Sequence, residues 1–408
     1  MPHHDHDETE QPAAVPLTVP RDGVPDLITG SSQLESMIEA LTAGSGPVAI
    51  DAERASGFKY YGRAYLIQLR RNGSGTFLID PTYFDDLVDV NAAIADAEWI
   101  LHAAGQDLPC LDELGMRPTD LFDTELAARL CGFERVNLAA LTEKLLGFSL
   151  QKQHSASDWS TRPLPPEWLT YAALDVELLV ELRDALDVEL REQGKREWAA
   201  QEFEAVRTAP PPKPRKEPWR RTSGIHKVKD ERGLARVREL WTARDEIART
   251  QDRAPSKIVP DPALVDAALT NPTTSAQLLT IPGFQRRHAR THTKRWLSIL
   301  ADVRQAPADS LPPMTPHLDG PPAGHRWASK DPTAAKRLKR ARAIVTKLAD
   351  EHNVPAANLV SPAAVRAVAW EPPRRISTDS VAAKLSEAGA RDWQVAIIAG
   401  PIASTLRN

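Results

Sequence analysis

Apolar positions in the first half of the chain fall into short runs that end sharply. Val48-Ala49-Ile50 stops at Asp51; Ala64-Tyr65-Leu66-Ile67-Gln68-Leu69 and Thr76-Phe77-Leu78-Ile79 follow, separated by glycine-containing turns. Runs this short, bounded by turn residues, predict three successive strands. A helical pattern over residues 85–98 leads into a fourth short strand at 99–103. Helical spacing then takes over in "LFDTELAARLCG" and "NLAALTEKLLG" and in one long helix from 167 through about 207. Pro165 and Pro166 stand where a helix can begin. A meander followed by a strand and helices predicts an α/β domain on a mixed sheet.

Beyond residue 207 the strand pattern disappears. The proline-rich stretches "APPPKPRKEP" (209–218) and "APADSLPPMTPHLDGPPAG" (306–324) read as extended linkers. They divide the chain into a disordered tail (1–25), an α/β domain (26–207), a basic proline linker (208–230), a helical domain (231–305), a second linker (306–330) and a second helical domain (331–408). The two helical domains resemble each other. Displaced by 100 residues, Pro255 meets Pro355, Pro262-Ala263 meets Pro362-Ala363, Val265 meets Val365, and Ala243 and Ala267 meet Ala343 and Ala367. One register for all of these predicts a divergent duplication.

Composition narrows the class. With 42% hydrophobic and 26% charged residues among 408, the chain is that of a globular protein with room for several cores. No apolar run approaches the ~18 residues that cross a bilayer. The acidic start, which carries His3, His4 and His6, has no apolar signal segment. Two cysteines outside any metal-ligand spacing predict a reduced, cytoplasmic setting. The net charge of −4 hides a split: residues 1–207 carry 17 Lys+Arg against 36 Asp+Glu, and residues 208–408 carry 34 against 19. An acidic unit joined to a basic one makes the basic half a candidate binder of nucleic acid.

Candidate chemistry begins with Asp51 and Glu53. The pattern D-x-E occurs five times, starting at Asp51, Asp96, Asp123, Asp175 and Asp187, and only the first ends an apolar strand. The others sit in helical patterns, where solvated faces and N-caps are the ordinary explanation. At a strand end, residues two apart point to the same side. Side-by-side carboxylates repel unless a cation such as Mg²⁺ or Mn²⁺ lies between them. Asp107 follows another strand at a helix start, and Tyr171 and Asp175 are one helical turn apart. Taken singly, Tyr171 is an ordinary half-buried aromatic and Asp175 a surface ion pair.

In order, Asp51-x-Glu53, His102-x4-Asp107 and Tyr171-x3-Asp175 resemble the three motifs of DEDDy-type 3′–5′ exonucleases. "YLIQL" and "ASDWSTRPLPPEWLTYAALDVELL" resemble ribonuclease D in particular, and "ELWTARDEIARTQDRAPSKIV" with "LLTIPGF" resembles its HRDC module. The resemblance implies a ribonuclease H-like mixed sheet with flanking helices, followed by two small all-α HRDC-like domains. It implies that Asp51, Glu53, Asp107 and Asp175 hold two Mg²⁺ or Mn²⁺ ions. It also implies that Tyr171 orients the attacking water, and that nucleoside 5′-monophosphates leave from the 3′ end. The stretch "RASGFKYYGR" after Glu53 departs from the family pattern, and no substrate contact is carried onto it.

The implied substrate is RNA with a free 3′ end, tRNA precursors among them, processed by a monomer away from membranes. His102 in the second motif and the cluster Arg286, Arg287, Arg290, Lys294 and Arg295 are candidate nucleic-acid contacts, as are Arg232, Arg236, Arg238 and Arg244. Trp159 and Arg162 either clamp the substrate or anchor the helix that carries Asp175. Two other functions use the same residues: a 3′–5′ DNA exonuclease, and a catalytically idle nucleic-acid scaffold.

Overall fold

The computed structural model describes residues 13–150, 157–315, 321–322 and 324–407; His3, His4 and His6 lie outside them. Among the described residues the N-terminal unit forms strands β1 (Val15–Leu17), β2 (Leu27–Ile28), β3 (Ser45–Arg54), β4 (Ala64–Asn72), β5 (Gly75–Ile79), β6 (Glu98–Leu101), β7 (Asp120–Asp123) and β8 (Phe148–Leu150). Six make a mixed sheet in the order β2-β5-β4-β3-β6-β7, and β1 pairs with β8. The β3–β4 and β4–β5 pairs are antiparallel, whereas β3–β6 and β6–β7 are parallel.

Helices cover both faces of this sheet: α1 (Ser31–Ala43), α2 (Val88–Ala93), α3 (Leu108–Asp112), α4 (Thr124–Leu130), α5 (Leu138–Leu141), α6 (Pro166–Glu177), α7 (Leu179–Glu192) and α8 (Arg196–Arg207). That is why β3 is apolar on both sides. Val48 and Ile50 join Met37, Leu41 and Trp99 in one core, while Ala49 joins Ile100, Phe122, Leu179 and Leu182 in the other. By alternation, Asp51 and Glu53 share the face of Ala49, toward α6 and α7.

Three expectations change. The tail drawn over 1–25 is too long, because Val15–Leu17 is a strand held against β8. The helical reading of "LFDTELAARLCG" starts too early. Residues 120–123 extend the sheet, and the Asp123 side chain caps α4 by accepting from Leu126 N. The single long helix from 167 is three helices. Leu178 leaves helical geometry, and Gly194 at φ 66° sits in the break before α8, a conformation glycine takes without strain.

The rest of the described chain is helical, and no helix in it is long and apolar enough to cross a membrane. One domain holds α9 (Glu231–Thr250), α10 (Pro255–Ile258), α11 (Asp261–Thr270), α12 (Ser275–Leu279), α13 (Arg287–Arg290) and α14 (Thr293–Gln305). The next holds α15 (Trp327–Lys330), α16 (Pro332–Glu351), α17 (Ala356–Leu359), α18 (Pro362–Trp370), α19 (Thr378–Glu387) and α20 (Asp392–Arg407). Equivalent features lie 101 residues apart. Asp230 and Asp331 cap the long helices, Asp252 and Asn353 take left-handed backbone, and Arg236 and Arg337 reach the carbonyls of Ala268 and Ala369. The proline register of 100 is one short, because proline fits several positions at a helix start: Pro255 opens α10, but Pro355 precedes α17.

Parts of both linkers belong to the domains after them. Trp219 is buried against Val228, Leu234 and Val237. Trp327 is fully buried in the C-terminal core, its indole N–H donating to Pro322 O at 2.7 Å.

Candidate active site

The end of β3 and the middle of α6 bring three acids together. Carboxylate oxygens of Asp51, Glu53 and Asp175 all lie within 4.8 Å of one another. Tyr171, one turn before Asp175, is hydrogen-bonded to that carboxylate. Asp107 heads α3, is 4% exposed, and stands outside the trio, paired with the Arg54 guanidinium at 3.1 Å.

The turn that presents Asp107 is built by a residue the motif reading assigned only as a cap. Asp123 accepts from Ala103 N at 3.1 Å and Ala104 N at 2.8 Å, and so holds Ala103 in left-handed backbone at φ 63°. His102 lies in the same turn, Nδ1 2.9 Å from Thr124 Oγ1. Burial pulls its pKa down to about 4, so the ring is neutral at physiological pH. Any contact it makes with nucleic acid is therefore that of a neutral imidazole whose Nδ1 is already engaged.

Electrostatics show what the cluster lacks. Burial pushes Asp51 up to about 6 and Asp107 up to about 8, against the opposing pull of Arg54. Glu53 rises to about 10, through burial and then the charges of Asp51, Asp175 and Asp107. Asp175 is raised by burial and by Asp51, with the Tyr171 hydrogen bond opposing. Tyr171 itself is raised above its usual value, first by burial and then by Asp175, and stays a protonated donor. Ionised together, the four acids would face only one guanidinium, that of Arg54, and the raised values are the cost of that burial and crowding. A divalent cation would reverse the penalty, since oxygen ligands at this spacing are what Mg²⁺ and Mn²⁺ take. The donor set fits such ions.

For Trp159 and Arg162, burial and partners favour the anchoring alternative over the clamp. Trp159 is fully buried, with its ring 5.1 Å from Trp168 and 6.4 Å from Tyr171. Arg162 is fixed by Asp80 at 2.6 Å and by the carbonyls of Trp159 and Tyr65 at 2.8 Å each. Neither is free to clamp a substrate; Trp159 packs on the helix that carries Tyr171 and Asp175, and Arg162 ties the Trp159 backbone to Asp80 and Tyr65. The arginines of α9 are likewise mostly structural. Arg232 bonds the carbonyls of Val303, Arg304 and Ala306, and Arg236 that of Ala268. Arg238 pairs with Glu239, and buried Arg244 bonds Val259 O and Asp261. Arg286, Arg287, Arg290 and Lys294 are exposed and have no acidic partner among the described residues, whereas Arg295 pairs with Glu246.

The loop that departs from the family pattern leaves the site and docks on the first helical domain. Phe58 O accepts from Ala254 N at 2.9 Å, Tyr60 N donates to Asp252 at 3.2 Å, and the Tyr60 hydroxyl donates to Asp245 at 3.1 Å. Lys59 pairs with Asp252 at 3.7 Å, and the Lys257 ammonium lies 4.7 Å over the Phe58 ring. Sequence reasoning missed both this docking and Arg54. The available signal was a lone cation directly after two paired acids.

Known families and proteins match this chain over most of its length. Residues 25–191 match the family described as 3'-5' exonuclease, residues 233–300 the HRDC domain, and residues 320–406 the 3' to 5' exonuclease C-terminal domain. Fold and site together define a 3′–5′ exonuclease carrying an HRDC domain. Ribonuclease D of Nitrobacter hamburgensis is 30% identical over 267 residues, covering 63% of this chain and 68% of that protein. The chain belongs to the ribonuclease D family, whose chemistry is that of a 3′–5′ exoribonuclease. The exosome complex exonuclease RRP6 of Saccharomyces cerevisiae is 28% identical over 302 residues, 69% of this chain but only 41% of the yeast protein. Two crystal structures extend the likeness over nearly the whole fold. A protein from Bifidobacterium adolescentis has a TM-score of 0.87 and 38% identity, covering 97% of this chain and all of that one. Escherichia coli RNase D, described as an exoribonuclease involved in structured RNA processing, has a TM-score of 0.68 and 26% identity, covering 94% and 98%.

Proposed function

We propose that the chain trims the 3′ ends of structured RNA, tRNA precursors among them, releasing nucleoside 5′-monophosphates at a centre of two Mg²⁺ or Mn²⁺ ions. The observation that carries this reading is the trio Asp51, Glu53 and Asp175 within 4.8 Å, with Tyr171 bonded to Asp175. In this reading Asp51, Glu53 and Asp175 hold one ion, and Asp107 completes the set for the second. When bound, such ions lower the pKa of an attacking water and neutralise the leaving 3′ oxygen.

The protein's own groups do the positioning. Tyr171 keeps its proton, so it orients a water by hydrogen bonding and does not act as a base. Trp159 packs on the helix that carries Tyr171 and Asp175, and Arg162 holds the Trp159 carbonyl. Arg286, Arg287, Arg290 and Lys294 supply sequence-independent phosphate contacts in the HRDC domain, the same domain that grips the loop leaving Glu53.

The test is degradation of matched 5′-labelled RNA and DNA oligonucleotides with Mg²⁺, Mn²⁺ or EDTA, with chromatography of the products. The expected result is stepwise 3′ shortening of RNA with nucleoside 5′-monophosphates, abolished by EDTA. Equal or faster loss of DNA contradicts the RNA reading, and no shortening in either metal contradicts the enzyme reading.

A further inference from the structure

Among the described residues Arg54 is the one cation paired with an acid of the cluster, and it sits where the cluster is incomplete. Its guanidinium lies 3.1 Å from Asp107, the acid that stands outside the trio. Arg54 immediately follows Glu53, and the β3–β4 pairing slips at this point, with Glu53 opposite Leu66 but Arg54 opposite Ala64. Such irregularities at a strand end re-aim side chains. Asp107 is nearly inaccessible, whereas the Arg54 side chain keeps 27% of its surface. The arginine can therefore swing outward while the carboxylate stays in place.

Charge sets the sequence of events. With all four acids ionised, as metal ligation requires, four carboxylates and one guanidinium sum to three negative charges, and one divalent ion on the trio leaves one. A second ion at Asp107 would meet the guanidinium at close range and turn the site positive. A phosphodiester brings it back to neutral and offers the arginine a planar, bidentate partner in exchange for Asp107.

We propose that Arg54 is a tethered counter-cation that holds Asp107 in the metal-free chain, so that the second divalent ion loads only as Arg54 transfers from Asp107 to a phosphate of the incoming nucleic acid. The proposal rests on the metal-centre reading above. It adds that Arg54, a residue of this chain, is what weakens the second ion, and that its hand-over to phosphate releases Asp107.

The experiment is calorimetric titration of the full chain with Mn²⁺, with electron paramagnetic resonance to report spin-coupled pairs, with and without adenosine 5′-monophosphate as phosphate probe. The parent should bind one Mn²⁺ tightly and the second about tenfold or more weaker, and the nucleotide should tighten the second. Arg54→Gln should tighten the second ion about tenfold without nucleotide and show a coupled pair at lower Mn²⁺, leaving the first ion within about threefold. Arg54→Lys keeps the charge and should stay within about threefold of the parent at both. A second ion no tighter in Arg54→Gln than in the parent overturns the proposal, as does equal tightening in both variants. Asp51→Asn separates the two readings: if it binds Mn²⁺ as the parent does, the metal centre itself is misplaced.

Discussion

The two helical domains have one fold and opposite relations to the catalytic unit. The C-terminal copy is fused to it by apolar packing. Trp327, Leu338 and Val345 share a core with Leu186, Leu190 and Phe203, and Trp393 stacks on Trp198 at 4.6 Å and 11°. The Trp393 indole and Gln394 amide also donate to buried Glu202 at 3.0 and 3.1 Å, and Lys195 reaches Asn353 O at 3.1 Å. The first copy has its own closed core, joined from the catalytic side by Tyr60. It is held through the polar latch of Phe58, Lys59 and Tyr60, on the loop that leaves Glu53. Of two domains alike in fold, one therefore completes the catalytic unit and the other is only docked on it. The basic excess of the second half does not distinguish them; the type of interface does.

Breaking the fused interface should have the largest effect. Trp393→Ala removes a stacked ring and the donor to Glu202, and should cost about 3–5 kcal/mol in denaturant unfolding. A cost under about 1 kcal/mol would show that this copy, too, is only latched. For the same reason, truncation at residue 208 should strip cover from Phe203 and Trp198 and destabilise the catalytic unit, which makes it a poor probe of RNA binding.

A smaller effect should follow from the exposed cations of the first copy. Replacing Arg286, Arg287, Arg290 and Lys294 by Ala should weaken RNA binding and lower the slope of log affinity against log salt by about 0.7 for each phosphate no longer neutralised. Unfolding stability should stay within about 0.5 kcal/mol. An unchanged slope would remove this domain from the substrate path.

Metal and pH sharpen the contrast further. In the metal-free chain the folded state holds protons on Asp51, raised to about 6, and Asp107, raised to about 8, both above the usual 3.8. The unfolded chain releases these protons near 4, so stability from these groups is greatest in acid and is lost as pH climbs from about 4 to about 8. Thermal melts in EDTA should show the catalytic unit falling in that window, with saturating Mn²⁺ restoring it most at the alkaline end. A melting temperature that rises with pH in EDTA would contradict the sign. The smallest effect belongs to the latch: Tyr60→Phe removes only the hydroxyl bond to Asp245, at about 0.5–1.5 kcal/mol in denaturant unfolding.

Much of this was legible in the sequence because it is local. The three hairpin strands, the cap signals and the Tyr171–Asp175 spacing each depend on neighbours within a few residues. The five D-x-E sequences sorted only in part as local reasoning would have them: Asp123 ends a strand, and Asp175 joins the acid trio. Beyond the site pair, Asp96 meets Arg71, Asp123 caps α4, and Asp187 pairs with Arg191 and Arg196. Asp175 joins the site while Glu177 turns to Arg70. What failed to show depends on partners distant in the chain. Arg54 meets Asp107 across the sheet, and Tyr60 meets Asp245 on another domain. Trp159 and Arg162 read as possible clamps because composition cannot report burial. Arg232 and Arg244 read as nucleic-acid contacts because a charge count does not see the carbonyls that occupy them.

In the proposed function, Asp51 and Asp175, drawn together from β3 and α6, form the divalent-metal centre that cleaves RNA. Single-turnover degradation of labelled RNA in Mn²⁺ by Asp51→Asn and Asp175→Asn, with melts showing that both fold, tests it most directly. The expected result is a rate at least about 10³-fold below the parent in each. Parental rates in either variant would contradict the account.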